Sequence, residues 1–192
     1  MVGSALGIIS YGSIRKRLSS VAAFLGMKVL VHDPYITIAG KHAHKASFQD
    51  VLAGAGFLTC LAFAADETEN LMKKAAFSAL KQGSYFINIP WKNFVDEAAL
   101  EAVLNTGHLA GAALDVGQAP DQMPNPSLAV HPNLITTSHM GVQTPQSTEL
   151  KALETVEQVR SLLVQCELPH NALNPEHAHG VHAYLHEKTC TS

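Results

Sequence analysis

The sequence predicts a doubly wound α/β domain, a mainly parallel sheet with helices on both faces. Two observations carry that prediction. Short apolar runs alternate with stretches of helical period through most of the chain, and strand–helix alternation implies parallel strands joined by crossovers. The stretch LGIISYGSIRKRLSSVAAFLGMKVLVHDPY (6–35) reads as a strand, a glycine turn, a helix and a second strand that ends in an acid. The composition agrees: 192 residues, 47% hydrophobic and 15% charged, are enough to bury the core of one good-sized domain.

Taken in order, residues 6–10 (LGIIS) form the first strand and Gly12 lies in the turn after it. Ile14, Leu18, Val21, Ala22 and Leu25 share one helical face. Residues 28–32 (KVLVH) form the second strand, and Asp33 follows directly. Four more short apolar runs read as buried strands, at 57–61, 85–89, 111–116 and 133–137. Leu71, Ala75 and Leu80 mark a helix preceded by the acidic stretch Asp66-Glu67-Thr68-Glu69. Another helix runs from Ala98 to Leu104, opened by Asp96-Glu97 and closed near Gly107. The last helix starts at Thr144-Pro145, with Thr as N-cap and Pro at the first helical position, and runs to about Cys166. Residues 117–132 are Pro-rich and read as a loop, and 167–192 as a polar, His-rich tail.

A net charge of −3 gives no reason to expect nucleic acid or an anionic membrane surface as partner. No apolar run approaches the roughly 18–20 residues of a membrane span. No charge precedes Arg15 and no small-residue cleavage site follows the apolar start, so no secretory leader is expected. Cys60, Cys166 and Cys190 are odd in number and scattered. They suit a reducing cytoplasm better than a disulfide framework or a Cys₄ zinc site. His182 and His186 are spaced i, i+4, which on a helix suits a divalent metal, but no cysteine pair or acid constellation accompanies them. No metal site is expected.

The chemistry sits in the first turn. In a dinucleotide-binding turn the first Gly permits a tight bend, the second lets backbone approach the diphosphate, and the third lets helix and strand pack closely. The phosphates then rest on the free N–H groups of the helix N-terminus. Ser10-Tyr11-Gly12-Ser13-Ile14-Arg15 keeps one Gly of three, in the middle. Asp33 lies about 20 residues on, where a carboxylate can accept from a ribose 2′-hydroxyl and would repel a 2′-phosphate. The competing reading makes Gly12 an ordinary turn glycine and Asp33 a solvated strand-end acid.

Longer stretches add a resemblance. GSALGIISYGSIRKRLSSVAAFLGMKVLVHDPY (3–35), NIPWKNFVDEAALEAVLNTGHLAGAALDV (88–116) and HPNLITTSHMGVQTPQS (131–147) resemble the NAD-dependent D-isomer-specific 2-hydroxyacid dehydrogenases, from about Gly3 to Thr148. ELPHNALNP (167–175) is similar to that family's C-terminal return segment. The resemblance implies a Rossmann-like NAD-binding domain over 1–148, a hinge-type helix over 149–166 and a tail over 167–192. It also implies that the N-terminal half of a substrate domain is not in this chain. The implied cofactor is NAD, held by Gly12, Ser13, Ile14, Asp33, Ile89, Pro90, Trp91, Asp115, His139 and Gly141.

The same resemblance implies a catalytic His, matched by His139, with an Arg to clamp the substrate and a Glu to orient the His. The Arg position falls on Trp91, beside Lys92, and neither reproduces a guanidinium fork. No Glu follows Asp115-Val116; Gln118 or Asp121 could stand in only if that loop has shifted. A family Pro beside the nicotinamide falls on Phe63. Asp115 is implied to contact the carboxamide. Two functions follow. One is an oxidoreductase passing hydride between NAD(H) and a small 2-hydroxyacid or 2-oxoacid, in an oligomer or with a partner chain. The other is a non-catalytic nucleotide-binding or interaction domain.

Overall fold

The structure, a computed structural model, describes residues 2–38, 42–61, 71–89, 94–118, 123–140, 144–169 and 185–186. Contacts divide the chain into two compact units, Met1–Gly141 and Val142–Ser192.

The first unit is built on a seven-stranded sheet. In chain order the strands are β1 (Ala5–Ile9), β2 (Lys28–His32), β3 (His44–Lys45), β4 (Phe57–Cys60), β5 (Ser84–Asn88), β6 (Leu109–Leu114) and β7 (Leu134–Thr136). Every pairing is parallel, and the spatial order is β3-β2-β1-β4-β5-β6-β7. The order reverses between β1 and β4. In such sheets ligands bind beyond the carboxyl ends of the strands at that point.

The helices of this unit are α1 (Ser13–Phe24), α2 (Phe48–Gly54), α3 (Lys74–Ala79), α4 (Glu97–Asn105) and α5 (Pro126–Ala129). The apolar runs are strands because they are buried on both faces. Leu6, Ile8, Val29 and Val31 belong to one core cluster with Ala22 of α1. Ile9, Leu58, Cys60, Phe86, Ala112 and Leu114 belong to a second cluster with residues of α2, α3 and α4. Cys60 is fully buried, and burial pushes its thiol well above the usual range.

Several expectations need correction. Residues 44–54 carry an edge strand, β3, and a helix, α2, that apolar periodicity did not reveal. Ser47 caps α2 by accepting from the Asp50 N–H at 3.1 Å. The helix expected around Leu71–Leu80 is only Lys74–Ala79, while Met72 pairs in a parallel bridge with Val95. The Pro-rich loop after β6 holds α5, opened by Pro126. The buried face of α1 is only partly the expected one: Ala22 is buried and Leu18 packs against the core, but Arg15 and Ser19 also face inward, whereas Ile14 and Val21 are more than half exposed. The small residues at 19 and 22 let the helix lie close to the sheet, and the Ser19 hydroxyl is satisfied by donating to the Arg15 carbonyl at 2.8 Å. α4 begins as expected, with Asp96 accepting from the Ala99 N–H at 3.0 Å.

The second unit contains α6 (Pro145–Arg160), capped by Thr144, which accepts from the Ser147 N–H at 3.2 Å. A π-helical turn, Ser161–Gln165, continues it to Cys166, which closes it in the left-handed conformation. Among the described residues no helix is long and apolar enough to cross a membrane.

Candidate functional site

Five strand ends meet along one edge of the sheet. β1 leads into the Ser10–Gly12 turn, β2 into Asp33, β5 into Ile89, β6 into Asp115, and β7 leads to His139. Parallel strands put all these carboxyl ends on the same side.

At the first turn Ser10 is left-handed, with φ 72°. That conformation suits the glycine the motif lacks, and Ser10 carries a Cβ through it at a cost of about 1–2 kcal/mol. The Ser10 N–H donates to the His32 carbonyl at 2.8 Å, and the Tyr11 N–H donates to Asp33 Oδ2 at 2.8 Å. Asp33 Oδ1 accepts from the Tyr35 N–H at 2.9 Å. Asp33 is therefore no solvated strand-end acid: it is 7% exposed and ties β2 to the turn. Gly12 is the N-cap of α1 and offers no side-chain cap to the N–H groups of the first helical turn.

Arg15 stands where the third glycine would be. Its side chain runs back over the turn, and Nη1 lies 2.5 Å from the place a Cβ on Gly12 would take. The residue is 7% exposed. Burial lowers its basicity below the usual arginine range, and the Asp33 carboxylate offsets part of that. No periodicity argument pointed to a buried cation here.

At the other end, Asp115 is 9% exposed. Its Oδ1 accepts from the Thr137 hydroxyl and, at 2.9 Å, from the Met140 N–H. Its N–H donates to the Asn88 carbonyl at 3.0 Å, and its carbonyl accepts from the His139 N–H at 2.9 Å. His139 is left-handed, with φ 53°. Among the described residues its ring has no hydrogen-bond partner. Gln118 does not supply one: its Nε2 donates to the Val95 carbonyl at 2.7 Å. Glu97, read from sequence only as a first-turn acid, is 5% exposed and accepts from the Gln118 and Asn125 N–H groups at 2.8 and 3.0 Å. It staples the segment after β6 to α4.

Ser13 and Ile14 sit at the open start of α1, and Ile89 is 44% exposed at the end of β5. Pro90, Trp91, Lys92, Asp121, Gly141 and Phe63 lie outside the described residues, as does His182. Among the described residues no group of three or more His, Cys, Asp and Glu is placed to hold a metal ion.

The family model described as the D-isomer specific 2-hydroxyacid dehydrogenase, NAD binding domain, matches residues 1–141. The chain belongs to this family. Among curated dehydrogenases it is 33% identical, over 162 residues, to D-3-phosphoglycerate dehydrogenase of Bacillus subtilis, matching 83% of this chain and 31% of that protein. It is 33% identical to (S)-sulfolactate dehydrogenase of Chromohalobacter salexigens over 84% of this chain and 53% of that one. The chain thus spans between about a third and a half of these relatives. Among solved structures, a glyoxylate reductase from Paecilomyes thermophila superposes with TM-score 0.81 at 24% identity, covering 88% of this chain and 52% of that one. D-lactate dehydrogenase with NAD+ from Lactobacillus jensenii superposes with TM-score 0.76 at 25% identity, covering 89% and 56%.

NAD is the coenzyme of the domain family to which residues 1–141 belong. The strand-end carboxylate and the uncapped helix fit its ribose and diphosphate in chemical kind. The backbone gap at Gly12 carries a guanidinium instead of open space.

Proposed function

We propose that the chain binds NAD(H) along the carboxyl ends of β1, β2, β5 and β6, as the coenzyme-binding part of a 2-hydroxyacid oxidoreductase. The observation that carries this is Asp33, buried at the end of β2 and bonded to the turn that holds Gly12. A carboxylate there selects a ribose hydroxyl over a 2′-phosphate. When bound, NAD supplies the hydride acceptor or donor. The chain's own residues position it: α1 offers the N–H groups of its first turn, Asp115 holds the loop that carries His139, and His139 is the group able to move a proton at a substrate oxygen. Calorimetric titration tests the reading. The expected result is NAD binding weaker than micromolar, NADP binding weaker still, and loss of that preference on Asp33→Ala. Equal affinity for NAD and NADP in the unaltered chain overturns it.

A second reading, a nucleotide-binding domain without chemistry of its own, is favoured by one observation: Gln118 is committed to Val95, so the described residues leave the His139 ring unoriented. Either way the chain is assigned to the reducing cytoplasm, where free Cys60 and Cys166 are at home. It is also assigned a partner, a second copy or another chain. Ile14, Val21 and Phe24 of α1 are 67, 55 and 90% exposed, and Leu150, Leu153, Val156 and Val159 of α6 are also exposed. Apolar surface of that kind is usually covered. Light scattering that shows a monomer up to high concentration refutes the association.

A further inference from the structure

We propose that Arg15 sets the coenzyme affinity of this domain by occupying, from within the chain, the space over Gly12 that a dinucleotide's diphosphate must enter. The inference rests on the reading of the Gly12 turn as the coenzyme site and adds a residue that opposes binding there. The second glycine of such a turn is useful because its missing Cβ lets a phosphate come close to the backbone. In this chain even a methyl group at that point meets Arg15 Nη1 at 2.5 Å, and a diphosphate is far larger than a methyl group.

The placement follows from helix geometry. Arg15 is three residues after Gly12, in the first turn of α1, and helical side chains point toward the N-terminus over the residues three and four before them. A long side chain at position 15 therefore lies over Gly12. Its exposure of 7% and the attraction of Asp33 hold it there. Asp33 also accepts from the Tyr11 and Tyr35 N–H groups, so it cannot follow the guanidinium outward without opening the turn.

The obstructing atom is the far end of a flexible side chain, so the block can yield. Binding then requires the minor population in which Arg15 has swung out, and the apparent affinity falls by that fraction. A minor state populated at roughly 1–10% lowers affinity on the order of 10- to 100-fold.

The test is calorimetry on the full 192-residue chain and two variants, Arg15→Gly and Arg15→Ala, with NAD and with adenosine as probes. Ala keeps a strong helix former in α1, so it carries the test if the Gly variant fails to fold by circular dichroism. The expected result is NAD binding tighter by about 10- to 100-fold in either variant, with adenosine, which has no diphosphate, unchanged. NAD binding that is unchanged overturns the proposal and leaves the coenzyme reading standing. NAD binding that weakens also overturns it, because the guanidinium is then a phosphate ligand. If no folded form binds NAD, the coenzyme reading itself falls, and the proposal with it.

Discussion

After β1 the chain turns at Ser10, φ 72°, and the next N–H, that of Tyr11, is accepted by Asp33 at the end of the neighbouring strand β2. After β7 it turns at His139, φ 53°, and the next N–H, that of Met140, is accepted by Asp115 at the end of the neighbouring strand β6. Each turn also ties its left-handed residue to the adjacent strand end, Ser10 to the His32 carbonyl and His139 to the Asp115 carbonyl. One plan thus serves both ends of the crevice: a left-handed residue and a buried carboxylate reaching over from the next strand. The surroundings differ. The first turn faces a buried guanidinium. The second presents a His ring with no hydrogen-bond partner among the described residues. Hydrogen bonds that hold the turns serve folding whatever the chemistry, so they persist even where groups needed only for turnover are replaced.

The largest expected effect lies at the second turn. With NADH and a panel of 2-oxoacids, the purified chain is expected to show no measurable turnover. A placed acid–base contributes roughly 10²–10⁴-fold in rate, and positioning on the order of 7–11 kcal/mol. Nothing at Trp91 can clamp a carboxylate as a guanidinium does. Turnover that His139→Ala abolishes would show that both turns are functionally furnished.

Next comes Asp33→Ala. It leaves the Tyr11 and Tyr35 N–H groups unsatisfied and strips Arg15 of a neighbouring charge, so it should cost about 3 kcal/mol. In a domain of this size that lowers the Tm by roughly 6–12 °C. Asp115→Ala follows at about 2 kcal/mol, since the Thr137 hydroxyl can turn to water. Urea titrations in which Asp115→Ala proves the more damaging would reverse the ranking of the two turns. Smallest is Ser10→Gly, which relieves a left-handed Cβ and should stabilise by about 1 kcal/mol. A loss on that substitution would mean the Ser10 side chain contributes more than its strain costs.

Much of this architecture was legible in the sequence, and the misses have physical causes. β1, β2, β4, β5, β6 and β7 were readable because parallel strands buried on both faces appear as continuous apolar runs. β3 escaped because its two residues, His44 and Lys45, are exposed at an edge. α2 escaped because it is short, although Ser47 followed three residues later by Asp50 is a readable capping signal. Asp33 was singled out by its place after β2, and Asp115 by the family resemblance. The burial of Arg15 and Glu97 was not legible, because a buried charge breaks the apolar periodicity that sequence reading relies on. What each of them touches is set by tertiary contacts: Arg15 by the turn beneath it, Glu97 by the segment after β6.

Cys60 closes β4, the strand between β1 and β5, and its thiol is both fully shielded and held protonated. A thiolate is the reactive form, so a labelling reagent finds this sulfur only when the middle of the sheet comes apart. Cys166, in the second unit, is only partly buried. The two cysteines among the described residues are therefore a fast and a slow clock. Bound coenzyme should slow the Cys60 clock by the factor with which it favours the closed sheet, so thiol capture can rank nucleotides against this protein without any assay of chemistry.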